Sequence, residues 1–252
     1  MDELIVERSG SIVSVILDRP PGNALTLALY RRIIEVFRDI GTSDANCAVL
    51  TARGTAFCTG VDLEELIALS AEEDPVRSSI VRETFRTVRA CSIPVVAAIN
   101  GPALGAGAML ASATDIRIAS ETATFGVPEI DIGRCGGGAH LGPLVPRGLL
   151  RRMSFTGEPI SAGEAQRCGL VDQLVAPSDL LPAAYQLAET IASKSPIGLR
   201  MTKEALNQIE FLPIEEGFEL EQQYSTQLMH TQDAREAARA VFEHRPPQFK
   251  GR

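Results

Sequence analysis

The chain of 252 residues sets 24 Lys and Arg against 32 Asp and Glu, a formal net charge of −8, which argues against the clustered cationic surface that a nucleic-acid binder needs. Hydrophobic residues at 45% and charged residues at 22% exclude disordered, collagen-like and coiled-coil chains. No apolar run approaches the roughly 20 residues of a membrane span. The five scattered cysteines, Cys47, Cys58, Cys91, Cys135 and Cys168, form no CxxC pair, so neither a disulfide framework nor a zinc site is expected. The acidic start Met1-Asp2-Glu3 is unlike a secretory or mitochondrial leader, and a reducing, cytoplasmic setting is expected.

In chain order, residues 11–17 (SIVSVIL) are β-branched and apolar and predict a strand, ended by the turn residues RPPGN at 19–23. From 27 to 40, Leu29, Ile33, Ile34, Phe37 and Ile40 recur at helical spacing, with Gly41 as the stop. The pattern then repeats. Residues 47–51 (CAVLT) predict a strand, 53–62 (RGTAFCTGVD) a loop and Leu63 onward a helix, while the acidic run 71–75 (AEEDP) reads as a solvated loop. Residues 94–99 (PVVAAI) predict the next strand, 100–107 (NGPALGAG) its loop and 106–113 the helix; 115–119 (DIRIA) is a third strand, with the loop PEIDIGRCGGG at 128–138 beyond it. Such alternation predicts an α/β fold whose functional groups sit on the loops that follow the strands.

After about Leu144 the strands thin out. Ser161 and Glu164 form a capping box and Gly169 a stop, so a short helix is expected between them. One more strand follows at 171–175, then helices at 180–193, 196–208, 214–230 and 234–244. This divides the chain into an α/β core over 1–195 and a helical region over 196–252, whose amphipathic helices need the core or another subunit to cover them.

The loop NGPALGAG lies between a buried strand and a helix, where small residues let a ligand approach the backbone and the first helical turn offers unpaired N–H groups. A second loop of this kind, AFCTGVD, supplies what a polarised carbonyl oxygen needs: two N–H groups from different directions. The plainer alternative for either loop alone is close packing of small residues. Gly105 and Gly107 have no third glycine after them and make no dinucleotide fingerprint, and the chain has no GxSxG elbow for a serine hydrolase.

The segments LDRPPGNAL (17–25), AFCTGVDL (56–63), INGPALGAG (99–107), DIRIAS (115–120), FGVPEIDIG (125–133) and RPPQFKGR (245–252) together resemble the crotonase, or enoyl-CoA hydratase/isomerase, superfamily, from about Val13 to Arg252. The resemblance implies a ββα superhelical core with a C-terminal helical trimerisation region. It implies an acyl-CoA thioester substrate, with coenzyme A part of that substrate and no metal or redox cofactor, and a homotrimer or homohexamer with no nucleic-acid or membrane partner. It assigns the oxyanion-hole N–H groups to Val61 and Ala106 and the acid/base to Glu129 of the Pro128-Glu129 pair. Arg19, Ala24, Asp62, Leu63 and Lys250, with Arg53 in a neighbouring segment, are expected beside coenzyme A.

One position departs from the family's hydratases, which carry a second glutamate three residues after the second oxyanion-hole residue. Here it is Met109. Hydration needs one group to activate water and another to deliver a proton, whereas moving a double bond from the 3,4 to the 2,3 position needs a single base. Glu129 alone suffices for isomerisation, which is therefore the expected reaction. Asp131, two residues on, is the alternative second carboxylate if the segment is extended, so that both side chains share a side. His140 is a further candidate, against a role in starting a helix. Some family members carry an Asp eight residues after the PE glutamate; Gly137 stands there. Cys58 and Cys135 have no histidine partner and are expected to pack. Two alternatives remain: a hydratase using Asp131 or another second group, and a non-catalytic acyl-CoA-binding protein.

Overall fold

The computed structural model describes residues 3–251. Its strands are Leu4–Ser9 (β1), Ile12–Leu17 (β2), Cys47–Ala52 (β3), Val95–Ile99 (β4), Ala103–Leu104 (β5), Ile116–Ser120 (β6), Thr124–Gly126 (β7), Ile160–Ser161 (β8) and Gln173–Val175 (β9). The helices are Leu27–Thr42 (α1), Leu63–Ala68 (α2), Asp74–Arg89 (α3), Ala106–Ser112 (α4), Gly138–Leu141 (α5), Arg147–Thr156 (α6), Ala162–Cys168 (α7), Leu180–Ala192 (α8), Pro196–Ile209 (α9), Ile214–Met229 (α10) and Gln232–Phe242 (α11).

The main sheet has the order β1-β2-β3-β4-β6-β9. β1 and β2 form an antiparallel hairpin and every later pairing is parallel. β3 and β4 are buried at every position, as a parallel sheet covered on both faces requires. The two-residue alternation sorts them: Ala48, Leu50, Val95, Ala97 and Ile99 join Leu29, Ile33 and Phe37 of α1 in one core. Cys47, Val49, Val96 and Ala98 meet Leu180, Ala184 and Ala188 of α8 on the other face. A small sheet, β5-β7-β8, pairs Ala103 with Phe125 and Leu104 with Gly126. The residues that follow those two strands, Gly105-Ala106 and Val127-Pro128-Glu129, are thereby brought side by side.

Several expectations change. Gly41 lies inside α1, which ends where the Ser43 N–H donates to the Ile40 carbonyl. The acidic run is not all loop: Asp74 opens α3, and its carboxylate takes the Arg134 guanidinium at 2.7 Å. Charged residues dilute the apolar spacing of that helix, as they do in β1, whose outer residues are largely exposed. Residues 128–132 form a 3-10 helix, closed by Gly133 at φ +67°. The Ser161–Glu164 capping box and the left-handed Gly169 are present as expected.

Helix α9 is tied to the sheet by Lys203, which is 4% exposed and donates to Asp115 at 2.7 Å and to the Ile93 carbonyl at 2.9 Å. Arg200 donates to the carbonyls of Gly41 at 2.7 Å and Ala45 at 3.1 Å. Beyond these anchors Phe211, Ile214, Phe218, Met229, Val241 and Phe242 remain 59–86% exposed. No helix among the described residues is long and apolar enough to cross a membrane.

Candidate active site

The loop after β3 is held by Asn23, which is 1% exposed. Its Nδ2 donates to the carbonyls of Arg53 at 2.9 Å and Ala56 at 2.8 Å, and its Oδ1 accepts the Arg19 N–H at 2.8 Å. Leu25 then brackets the loop's end: its N–H donates to the Gly60 carbonyl at 2.8 Å and its carbonyl accepts from Asp62 at 3.0 Å. Between those two bonds the Val61 N–H has no backbone acceptor among the described residues. Ala106, the first residue of α4, has an N–H in the same condition, as the opening turn of any helix does. The two loops are locked together by Cys58, whose carbonyl accepts from Leu104 at 2.9 Å. Gly107 presses on that carbonyl so closely that a Cβ would stand 2.1 Å from it. Gly60, at φ +112°, runs alongside Ala106: a Cβ there would lie 3.9 Å from the Ala106 nitrogen. The two unpaired N–H groups are thus brought into one region.

Glu129 is next to it. A Cβ at Gly105 would come within 2.7 Å of its Oε1, and one at Gly136 within 3.5 Å of its Cγ. Glu129 Oε2 is buried and has no hydrogen-bond partner. Burial raises the Glu129 pKa above the ordinary carboxylate range, because the charged form has lost water without gaining a cation. A carboxylate in that condition is a stronger base than a solvated glutamate.

Val61, Gly105 and Glu129 line a cavity of about 1100 Å³, whose wall also includes Arg19, Ala24, Asp62 and Leu63, whereas Ala106 is fully buried and outside the lining. Arg19 reaches Asp62 at 2.6 Å and Glu3 at 3.0 Å and donates to the Ala24 carbonyl at 3.2 Å. Asp62 also caps α2 by accepting the Glu65 N–H at 3.0 Å. That backbone bond, then Arg19, holds its carboxyl below the usual range. Lys250 is not brought to this cavity: it is exposed, and its backbone N–H is tied to Asp233 at 2.7 Å. Arg53 also lies outside the lining and pairs with Asp18 at 2.9 Å.

Met109 lines the cavity from α4. Asp131 lines it too, but the extended segment expected for it is corrected by the 3-10 helix. Two residues in such a helix point about 120° apart, and the Asp131 carboxylate lies over Gly157, where a Cβ would meet its Oδ2 at 2.4 Å. His140 is in α5 and packs edge-on against Phe85, with ring centroids 5.2 Å apart; burial lowers its pKa. It is not in the lining. The Cys58 thiol is fully buried, which pushes it up to about 12, so it is inert as a nucleophile. Cys135 is exposed at the cavity wall.

Two residues escaped the sequence reasoning. Asn23 carried a signal, its place at the end of the RPPGN turn, but a turn asparagine does not announce two tertiary hydrogen bonds beside its local one. Tyr30, which lines the cavity, sits at an ordinary core position of α1.

Residues 7–252 match the enoyl-CoA hydratase/isomerase family as a whole. The chain belongs to that family. The 2,3-dehydroadipyl-CoA hydratase of Escherichia coli is 37% identical, with both chains covered in full. The short-chain-enoyl-CoA hydratase of Clostridium acetobutylicum is 32% identical over 100% of this chain and 99% of its own. The crystal structure of an enoyl-CoA hydratase from Bacillus anthracis superposes with a TM-score of 0.95 at 34% identity, each chain covered to 100%. This member of the enoyl-CoA hydratase/isomerase family therefore has the crotonase fold and is an acyl-CoA enzyme.

Proposed function

We propose that the protein isomerises enoyl-CoA thioesters, moving a double bond between the 3,4 and 2,3 positions. The observation that carries this is the buried Glu129 carboxylate beside Gly105, the one carboxylate among the described residues with a buried oxygen lacking a partner, with a methionine, Met109, on the same cavity wall. The thioester oxygen accepts from the Val61 and Ala106 N–H groups. Glu129 takes the proton from C2, the negative charge spreads through the dienolate onto that oxygen, and Glu129 returns the proton at C4. Substrate and product are isomers, so the step requires no redox partner. Arg19, Ala24, Asp62 and Leu63 form the part of the wall assigned to coenzyme A, and the same assignment of Lys250 requires its exposed end to meet the ligand in an assembly.

Hydration of 2-enoyl-CoA is the second reading, favoured by relatives named as hydratases and by the presence of Asp131 in the lining. Incubation with 2-enoyl-, 3-enoyl- and 3-oxoacyl-CoA, with products read by mass, separates the two. Isomerisation predicts exchange between the 2-enoyl and 3-enoyl forms, lost by about 10²–10⁴-fold in Glu129→Gln. Efficient hydration that disappears in Asp131→Asn establishes the second reading instead, and binding without turnover leaves a non-catalytic acyl-CoA protein. We further propose a cytoplasmic homotrimer or homohexamer, supported by the exposed apolar residues of α10 and α11. A stable monomer of 27.0 kDa in light scattering at micromolar concentration overturns it.

A further inference from the structure

We propose that Arg134 and Asp74 are a positioning pair for Glu129: their ion pair moors the glycine-rich turn that supports Glu129 to helix α3, an inference that rests on the acid/base reading of Glu129 above.

The support of Glu129 is slight. Its 3-10 helix spans five residues, none of them fully buried, and hydrogen bonds of that geometry are poorer than those of an α-helix. The turn beyond it is weaker still, because Gly133, Gly136, Gly137 and Gly138 make up four of the six residues 133–138 and glycine holds no conformation strongly. Glu129 nevertheless depends on this turn. The Arg134 N–H donates to the Glu129 carbonyl at 2.8 Å and the Gly133 N–H to that of Ile130 at 3.2 Å, and a Cβ at Gly136 would lie 3.5 Å from Glu129 Cγ.

Only Arg134 and Cys135 have side chains with which to anchor residues 133–138. Cys135 is exposed and makes no hydrogen bond among the described residues. The Arg134 guanidinium reaches Asp74 at 2.7 Å. Among the described residues this is the one hydrogen bond or ion pair that joins 128–138 to α2 or α3. Asp74 is itself well held: it lies in the first turn of α3, where the helix dipole favours a carboxylate. Helix α3 is fixed in turn by the buried Phe85 and Val88 and by Thr84, which donates to the Tyr30 carbonyl of α1 at 3.3 Å. Arg134 and the α3 residues Ser78 and Val81 line the same cavity as Glu129, so the pair joins two of its walls. With side chains 37% and 29% exposed, it adds little to the stability of the whole fold. A gain of about fivefold in the population of the moored turn still matters to a reacting group that must be placed to within about 1 Å.

The test reads kcat and KM for the enoyl-CoA thioester that the wild type turns over, together with hydrogen–deuterium exchange of a peptide covering 130–138. The proteins compared are the wild type, Arg134→Met, Asp74→Asn, the double variant, Arg134→Lys and Glu129→Gln. Each single loss of the mooring is expected to lower kcat by about fivefold and to speed exchange by a similar factor, with no further loss in the double variant. Arg134→Lys keeps most of kcat, and urea denaturation shifts little in any of them. The substitutions Arg134→Met and Asp74→Asn change the local charge in opposite senses, so a field effect on Glu129, or direct contact of Arg134 with substrate, moves kcat or KM in opposite directions in the two. That outcome overturns the proposal, as do additive losses in the double variant or an unchanged kcat or exchange rate in the single ones. Full turnover in Glu129→Gln, or none in the wild type, refutes the acid/base reading and the positioning with it, whereas an inactive Glu129→Gln beside unimpaired Arg134→Met and Asp74→Asn refutes the positioning alone.

Discussion

Two glycines touch the Glu129 carboxyl group, and substituting each with alanine separates position from mere proximity. At Gly105 the backbone has φ +53° and ψ −117°, a combination that costs an L residue roughly 1–3 kcal/mol. The added Cβ would also stand 2.7 Å from Glu129 Oε1, where ordinary contact begins at 3.4 Å, so the carboxylate must retreat by about 0.7 Å. Misplacement of a reacting group by about 1 Å costs on the order of 10²-fold in rate. Gly105→Ala is thus expected to lose roughly 1–3 kcal/mol of stability in urea denaturation and about 10–10²-fold in kcat. Gly136→Ala is the control. Its Cβ would lie 3.5 Å from Glu129 Cγ, and Gly136 is not among the glycines with positive φ, so stability should change by less than about 1 kcal/mol and kcat by less than about threefold. If Gly105→Ala keeps both quantities within the limits set for Gly136→Ala, the contact with Gly105 does not position Glu129 and the proposed geometry is wrong.

The raised pKa of Glu129 has a signed consequence. Its charged form is disfavoured in the folded state, so the destabilisation is absent below the unfolded-state pKa and grows to its full value as pH rises through the folded-state pKa. Glu129→Gln should therefore melt above the wild type at neutral pH, with the gap closing on acidification; calorimetry at several pH values measures it, and a constant gap refutes it. In the wild type, kcat/KM should fall on acidification with an apparent pKa above that of an ordinary glutamate, read from the pH profile. Asn23→Ala removes three hydrogen bonds and strands two loop carbonyls, an expected loss of about 2–4 kcal/mol in urea denaturation; a loss under about 1 kcal/mol contradicts the clamp described for the loop. Met109→Glu places a carboxylate of similar length across the cavity and should raise hydration of 2-enoyl-CoA over the parent, whereas an unchanged hydration rate by mass analysis shows that the second carboxylate is not what is missing.

The parallel strands were legible because both of their faces are buried: CAVLT and PVVAAI contain little but small and β-branched residues. Helix α1 was equally plain, since Leu29, Ile33, Phe37 and Ile40 face one core. Helix α3 was hidden by its four arginines, which keep their charged ends at the surface or the cavity while only Phe85, Val88 and two threonines are fully buried. The two small-residue loops could be found from their composition, yet their approach depends on the contact of Cys58 with Ala103 and Leu104, and the place of Glu129 beside them on the pairing of β5 with β7, two-residue and three-residue strands too short to carry a period. The same shortness hid the 3-10 turn that separates Asp131 from Glu129. Tyr30 was unreadable for another reason: burial of an aromatic ring is common, and only the missing partner of its hydroxyl marks it.

The two N–H groups proposed to hold the thioester oxygen belong to the main chain, and this changes how the protein would respond to saturation mutagenesis. Replacing the side chains of Val61 or Ala106 with others of fitting size would leave the donors in place, so the residues closest to the chemistry would look permissive, with proline the exception. Intolerance would surface at Gly101 and Gly107 instead, where a single methyl would collide with the carbonyl oxygens of Thr55 at 2.0 Å and Cys58 at 2.1 Å and force the two loops apart. A functional map drawn from such a screen would outline the seam between the loops and leave the centre of the site blank.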